Sequence, residues 1–456
     1  MKRNYVSVVA LALCTAMLAG ACGQQKEESI YTGDKTEEPA YQKNLDEISP
    51  SAYAEADGLE LEPGTYISVI GRGSGTAYWN QVKAGVEQAA SDLNTSLGYS
   101  GEDKIKVLYS APSENDNIDE QVNILDEELA RYPDVIAISS IDESACSVQF
   151  DLAIENGIPI VAFDSGNSYN GIQCTARTDN KAAGKTGAQK FCETIGDQGE
   201  VILFVHDSVS ATAKNREAGI TEEIKENHPD VSVVETIYMD QFDELKKEIA
   251  AEQIGMTKDE LAEAEAGNVK DDVADSSDKK AEEEQTKKTE DAASEKSDEQ
   301  TADTSASDAE KKDQTDTTTQ DMSITEKMQQ VNDAAAKMSD EDVLTYYMEK
   351  HPDLKGLLAT NETTTQLGVS ALKKMENADE IKMVGFDAGK TQVEALKNGD
   401  IDGLIVQNPF GMGYASVIAS ARTVLEIGNE AVVDTGYVWA TAENMEDDDV
   451  KPLLYE

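Results

Sequence analysis

The chain has 456 residues, with 39 Lys and Arg against 90 Asp and Glu, a net charge of −51, three His and five Cys. That length holds two or three domains at about 100–200 residues each. So acidic a chain repels phosphate and excludes nucleic acid and anionic membrane surfaces as partners. Three scattered His (His206, His228 and His351) leave no His-rich metal site and little material for imidazole acid–base chemistry.

Lys2 and Arg3 precede an apolar stretch from Val6 to Leu18, which ends in Ala19-Gly20-Ala21-Cys22. A basic start, a short apolar run and small residues describe a secretory signal over residues 1–21. The run is too short for a comfortable membrane span of about 20 residues. Cys22, directly after the small residues, resembles a bacterial lipobox, and the polar run Gly23 to Glu27 suits a tether. Cys22 is therefore read as a lipidation site that anchors an extracytoplasmic protein to the bacterial membrane. Residues 22–63, with 11 acidic and 3 basic side chains, read as a flexible tether.

From Tyr66 a regular alternation begins. Nine short apolar runs ("YISVIG", "KIKVLYS", "DVIAISS", "IPIVAFD", "EVILFVH", "VSVVETIY", "LKGLLAT", "IKMVGFD", "DGLIVQN") alternate with helical patterns. This spacing predicts an α/β protein with parallel, doubly wound sheets. Nine strands divide naturally between two lobes. "KENHPDVSVV" and "MEKHPDLKGLL" each end a helix with His-Pro-Asp and start a strand, so His228 and His351 belong to turns. Cys146, Cys174 and Cys192 remain after the signal. Cys192 is read as a small buried hydrophobe; Cys146 and Cys174 are either a pair or, more simply, two core thiols.

Residues 257–321 interrupt the alternation with 22 acidic side chains and 9 Lys. Between Asp271 and Gln320 the only aliphatic residue larger than Ala is Val273, and there are no aromatics. Such a stretch cannot bury enough surface to offset its ordering entropy, and it is read as a disordered acidic insertion.

Polar and aromatic residues collect where strands end. "GRGSGTAYWNQ" follows the first strand; its glycines do not have the G-x-G-x-x-G spacing, and Tyr78-Trp79 would crowd a pyrophosphate. Two aromatics there suit a flat, partly apolar ligand. Asp164 and Ser165, Arg216, Asn361 and Glu362, Asp387, Gln407 and Asn408 stand at or near other strand ends, where open α/β sheets form their ligand crevice. Each could equally be a cap or turn residue.

The order of these segments resembles the type 1 periplasmic binding-protein family, in particular ribose-binding-like sugar receptors of ABC transporters. It is carried by "AYWNQVKAG", "IPIVAFDSG", "TDNKAAG", "TAKNREAG", "HPDLKGLLATNETT", "VGFDAGK" and "IDGLIVQNPFGMG", from about Tyr66 to Tyr437. The resemblance implies two lobes joined by a three-segment hinge crossed near 178, 408 and 436. Residues 64–178 and 408–436 would form the N-terminal lobe, and 179–407 and 437–456 the C-terminal lobe, with the insertion inside the latter. It implies ring stacking for Tyr78 and Trp79, hydroxyl contacts for Asp164, Arg216, Asn361, Asp387 and Gln407, and ligand contact for Thr76. Phe242 matches a further stacking aromatic, and Ser165 stands where ribose binders usually carry Arg, which argues against ribose itself. The implied function is a monomeric, non-enzymatic lipoprotein that binds a sugar or polyol, needs no cofactor or metal, and delivers its ligand to a membrane permease by lobe closure.

Three other functions compete. A lactose-repressor-type regulator shares the fold, but residues 1–63 supply a signal and an acidic tether in place of a basic helix-turn-helix. A receptor feeding a chemotaxis protein or membrane kinase would use the same cleft. A glycosidase needs two carboxylates about 5–10 Å apart with one pKa raised; pairs such as Asp164 with Asp387 exist, but no apolar pocket signal that would raise one of them stands beside them.

Overall fold

A computed structural model describes residues 39–266, 322–375 and 378–455. The signal, Cys22, the tether as far as residue 38 and the insertion from 267 to 321 lie outside them. All nine expected strands form: β1 (Tyr66–Ile70), β2 (Lys106–Ser110), β3 (Val135–Ile138), β4 (Ile160–Phe163), β6 (Gly199–Val205), β7 (Val231–Tyr238), β8 (Leu354–Ala359), β9 (Lys382–Phe386) and β10 (Gly403–Gln407). Three more complete the sheets: β5 (Ile172–Arg177), β11 (Val432–Asp434) and β12 (Tyr437–Ala440). Of these, "IQCTAR" lacks the apolar run that marks a doubly covered strand, and β11 and β12 are only three and four residues long.

The strands make two six-stranded sheets with one plan. The first has the order β11-β5-β4-β3-β1-β2 and the second β12-β10-β9-β8-β6-β7. Every pairing is parallel except β10 with β12. In each sheet the order reverses beside the first strand, β1 or β6, which creates a topological switch point at the strands' carboxyl ends. β1, β3, β4 and β10 are buried along their whole length, as strands covered on both faces must be.

Each sheet carries a helix pair brought close by glycines. In the first, α1 (Ala77–Leu97) crosses α12 (Pro409–Val424). A Cβ at Gly85 would sit 2.0 Å from the Phe410 carbonyl oxygen, and one at Gly413 2.0 Å from that of Val82. In the second, α4 (Asn180–Ile195) crosses α5 (Ala211–Asn227), and Cβ atoms at Gly184 and Gly219 would meet the Arg216 and Lys181 carbonyls at 2.4 and 2.2 Å. The backbone contact therefore excludes every other residue at these four points. The chain passes from the first sheet to the second after Arg177, returns after Gln407 into α12, which packs on β3, β4 and β5, and leaves again between Asp434 and Tyr437. Cys146, Cys174 and Cys192 are all buried and free, and burial raises their thiol pKa values to about 11, 12 and 12.

Two expectations are corrected. The tether does not extend to residue 63: Leu45, Ile48, Tyr53, Leu59 and Leu61 are buried. Ser49 pairs with Asp434, and the Tyr53 hydroxyl donates to Asn429 Oδ1 at 3.2 Å and accepts from the Glu430 N–H. Apolar residues spaced through an acidic stretch find a surface to cover, which composition alone conceals. The insertion does not begin at residue 257 either. Thr257 caps a helix, α7 (Lys258–Glu265), by a reciprocal capping box with Glu260. Leu261 packs with Ala250, Met256 and Val331 between α6 (Phe242–Gln253) and α8 (Ile324–Ala335). The T-x-x-E spacing ahead of Leu261 is the signal that marks this helix.

Candidate binding cleft

The carboxyl ends of the two sheets face each other across a cleft with about 490 Å³ of empty space, counting its open mouth. Eight of the ten sequence-selected residues line it: Thr76, Tyr78, Trp79 and Asp164 from the first sheet's side, and Arg216, Asn361, Asp387 and Gln407 from the second. Two do not. Phe242 is buried and stacks on Phe204, with centroids 5.7 Å apart and planes at 5°, in the core behind β6. Ser165 sits behind the wall, bonded to Arg72 Nη1 at 2.6 Å.

Asp164 and Asp387 each follow the last residue of a strand, β4 and β9, with φ of 51° and 72°. This left-handed backbone is unusual for a residue with a side chain, and Asp tolerates it better than most. Asp164 accepts from the Tyr78 hydroxyl at 2.7 Å and from Ser139 Oγ at 2.8 Å. Asp387 accepts on Oδ1 from Gln407 Nε2 at 2.7 Å and from the Tyr455 hydroxyl at 3.0 Å. Burial pushes the Asp387 carboxyl up to about 6, against the pull of Arg216 and Gln407. Burial, with the fields of both carboxylates, drives the Tyr78 phenol well above its ordinary value.

Arg216 is an organiser of the second wall. Its guanidinium donates to Asn180 Oδ1 at 2.8 Å, the Thr360 carbonyl at 2.5 Å and Gln407 Oε1 at 2.5 Å, and lies 4.6 Å over the Phe386 ring. The accepted amide oxygen turns Gln407 Nε2 toward Asp387. Asn361 spends its side-chain oxygen capping α10 (Glu362–Lys374) through the Thr364 N–H, and among the described residues its NH₂ makes no hydrogen bond. Thr76 likewise caps α1 through the Trp79 N–H. The Tyr78 and Trp79 rings meet edge to face at 86°, so a ligand ring lying on one meets the other by its edge.

Sequence reasoning missed Arg72, Asn115, Asp116, His206 and Thr212, which also line the cleft. Arg72 is buried between the sheets. Nε donates to Asp116 and Nη2 to Asp207, both at 2.8 Å. Burial would lower its pKa, but Asp116, Asp207 and Asp164 together raise it. Burial would raise Asp207, yet His206 and Arg72 hold it well below the usual range. His206 is the first residue beyond β6, with Nδ1 2.8 Å from Thr360 Oγ1, and burial lowers its pKa to about 3, so it is neutral. Both residues were legible as charged or polar groups ending an apolar run. Arg72 stands inside a glycine-rich loop that draws attention to its glycines, and a lone His is weak evidence for either a metal site or acid–base chemistry.

The profile of the periplasmic binding protein domain matches residues 67–259 and 303–426. Among solved structures, a carbohydrate transporter solute binding protein from Agrobacterium radiobacter in complex with D-arabinose is 20% identical, with a TM-score of 0.57 over 86% of this chain and 98% of that one. An ABC transporter solute binding protein from Agrobacterium vitis with bound D-fucose is 20% identical, with a TM-score of 0.58 over 86% of this chain and 100% of that one. A D-apiose import binding protein of Paraburkholderia graminis is 28% identical over 87 residues, which span 19% of this chain and 27% of that relative.

Proposed function

The chain belongs to the periplasmic binding protein family, and from that membership we propose that it is the extracytoplasmic binding component of an ABC transporter, taking a neutral sugar or polyol between two lobes. The strand memberships support lobes of residues 64–178 with 408–436 and of 179–407 with 437–456. Lipid attachment at Cys22, a monomeric state, and docking of the closed form on a permease complete the reading.

One observation carries the ligand class. Two guanidinium groups, Arg72 and Arg216, meet five carboxylates, Asp116, Asp164, Asp207, Glu362 and Asp387, in and directly behind the cleft. Arg72 is already engaged by two of them. A site with this excess of acceptors takes hydroxyl donors and repels sugar acids and sugar phosphates. D-Arabinose, D-fucose and D-apiose, the sugars of the similar proteins, are the first ligands to try. In a thermal-shift screen, a binding neutral sugar raises the melting temperature by several degrees at a hundredfold excess over its Kd. Gluconate and ribose 5-phosphate leave it unchanged. Stabilisation by the acids and not by any neutral sugar would overturn the assignment.

A further inference from the structure

Tyr455 comes from a segment that sequence analysis left without a role, and it ends inside the site's second wall. Its backbone N–H donates to the Ala388 carbonyl at 3.2 Å, its backbone pairs with Gly389, and the residue is 5% exposed. The hydroxyl donates to Asp387 Oδ1 at 3.0 Å, beside the Gln407 donor on the same oxygen. The ring meets Tyr78 edge to face, with centroids 6.5 Å apart. Among the described residues no hydrogen bond reaches Asp387 Oδ2.

We propose that Tyr455 is a positioning residue of the cleft: with Gln407 it fixes Asp387 Oδ1 and leaves Oδ2 as the acceptor for a ligand hydroxyl. The assignment rests on the reading of the cleft as a sugar site. Two donors on one oxygen set the carboxylate's rotation, so the second oxygen is presented in one direction before the ligand arrives. A phenol O–H donated to the anion also favours the ionised form in a buried place. The other groups facing Asp387 are Arg216 from α5, Glu362 from the start of α10 and Tyr78 from α1. Arg216 favours the anion, while the fields of Glu362 and Asp387 oppose each other. The phenol of Tyr455, its own pKa driven far up by burial, stays a donor throughout the working range.

The test is Tyr455→Phe, which keeps the ring against Tyr78 and removes only the donor. In the ligand-free protein the ¹³C-detected titration midpoint of the Asp387 carboxyl should move to higher pH than in the wild type. Affinity for whichever of D-arabinose, D-fucose and D-apiose binds the wild type should fall about tenfold at pH 7.5, with the acid limb of the profile displaced upward. Leu453→Ala, which thins the buried packing of the same segment, should lower the melting temperature and move neither quantity. An unchanged Asp387 midpoint in Tyr455→Phe overturns the proposal, as does an equal displacement in Leu453→Ala. If the wild type binds none of the sugars, the sugar reading falls, and the carboxyl titration still decides the role of Tyr455.

Discussion

Asp164 and Asp387 occupy the same station in the two sheets: each is the first residue beyond a strand, each has positive φ, and each carboxylate accepts a buried tyrosine hydroxyl. The common strand order of the sheets makes this a repeat of one local solution. The left-handed turn aims the side chain across the strand ends, and the tyrosine holds it there. Hydrogen bonds to a charged group contribute about 1.5–3 kcal/mol. Asp387→Asn should therefore weaken sugar binding by roughly ten- to a hundredfold. Because Asn also tolerates positive φ, the melting temperature should not fall. Asp387→Ala should lose binding to a similar degree and be the less stable of the two. Calorimetry alongside thermal melts separates the two effects. Full affinity in both variants would remove Asp387 from the site.

Arg72 is a buried ionic link across the cleft. It stands at the end of β1 and bonds Asp207, which follows β6, so opening the cleft must part a buried pair. Removing one partner of such a pair leaves the other uncompensated, with coupling between contacting residues of about 0.5–3 kcal/mol. Arg72→Gln should populate an open form in the absence of sugar, seen as a larger radius of gyration in solution scattering. Arg72→Gln combined with Asp207→Asn should be less destabilised than the two single variants summed. Strict additivity would show that the pair is not closed in solution.

The pH response follows from two buried groups of opposite sign. The folded protein holds the Asp387 carboxyl near 6, above its ordinary 3.8, so this group adds stability as pH falls from 6 toward 4. It holds His206 near 3, below its ordinary 6.5, so that group removes stability from pH 6.5 downward. The histidine shift is the larger, but the carboxyl offsets most of it, so the ligand-free protein should lose less than about 1 kcal/mol between pH 6.5 and 5. In His206→Gln the loss should shrink or reverse, read from urea midpoints at the two pH values. Sugar affinity should still decline below pH 6 in both proteins, because it depends on ionised Asp387. An equal loss of stability in both would mean that His206 titrates normally.

Much of the fold and part of the site were written in the sequence. Runs such as "YISVI" and "GLIVQ" are buried on both faces, so their strands announce themselves, whereas "IQCTAR" and "VVD" are edge or near-edge pieces fixed by their neighbours. Seven of the cleft residues were found because strand ends are where an open α/β sheet must bind, and Thr76 came from the family resemblance. Ser165 also stands at a strand end and Phe242 was carried over from a family pattern, yet Arg72 bonds the first and the Phe204 ring faces the second. Arg72 and Tyr455 act over 135 and 68 positions of sequence, on Asp207 and Asp387, and no local pattern reveals such partners.

The acidic segment is where composition misled most, and it supplies the last test. Charge counting placed its start at residue 257, but Leu261 is buried among Ala250, Ala251, Met256 and Val331, and Thr257 and Ser323 cap the helices on either side. Loss of a buried Leu costs about 2–5 kcal/mol, and loss of a cap about 1 kcal/mol. Replacing residues 257–321 by a short Gly/Ser link should therefore lower the melting temperature by several degrees, at about 2–4 °C per kcal/mol for a chain of this size. A link that replaces only 267–321 keeps both helices, and lengthening or shortening a connection changes closure entropy by only about 0.6 kcal/mol per doubling. That variant should melt within a few degrees of the wild type and bind sugar with less than threefold change. Leu261→Ala in the full chain should reproduce most of the loss seen in the longer excision. If the two excisions melt alike, the packing of α7 on α6 and α8 contributes nothing to stability, and the segment's working boundary returns to residue 257.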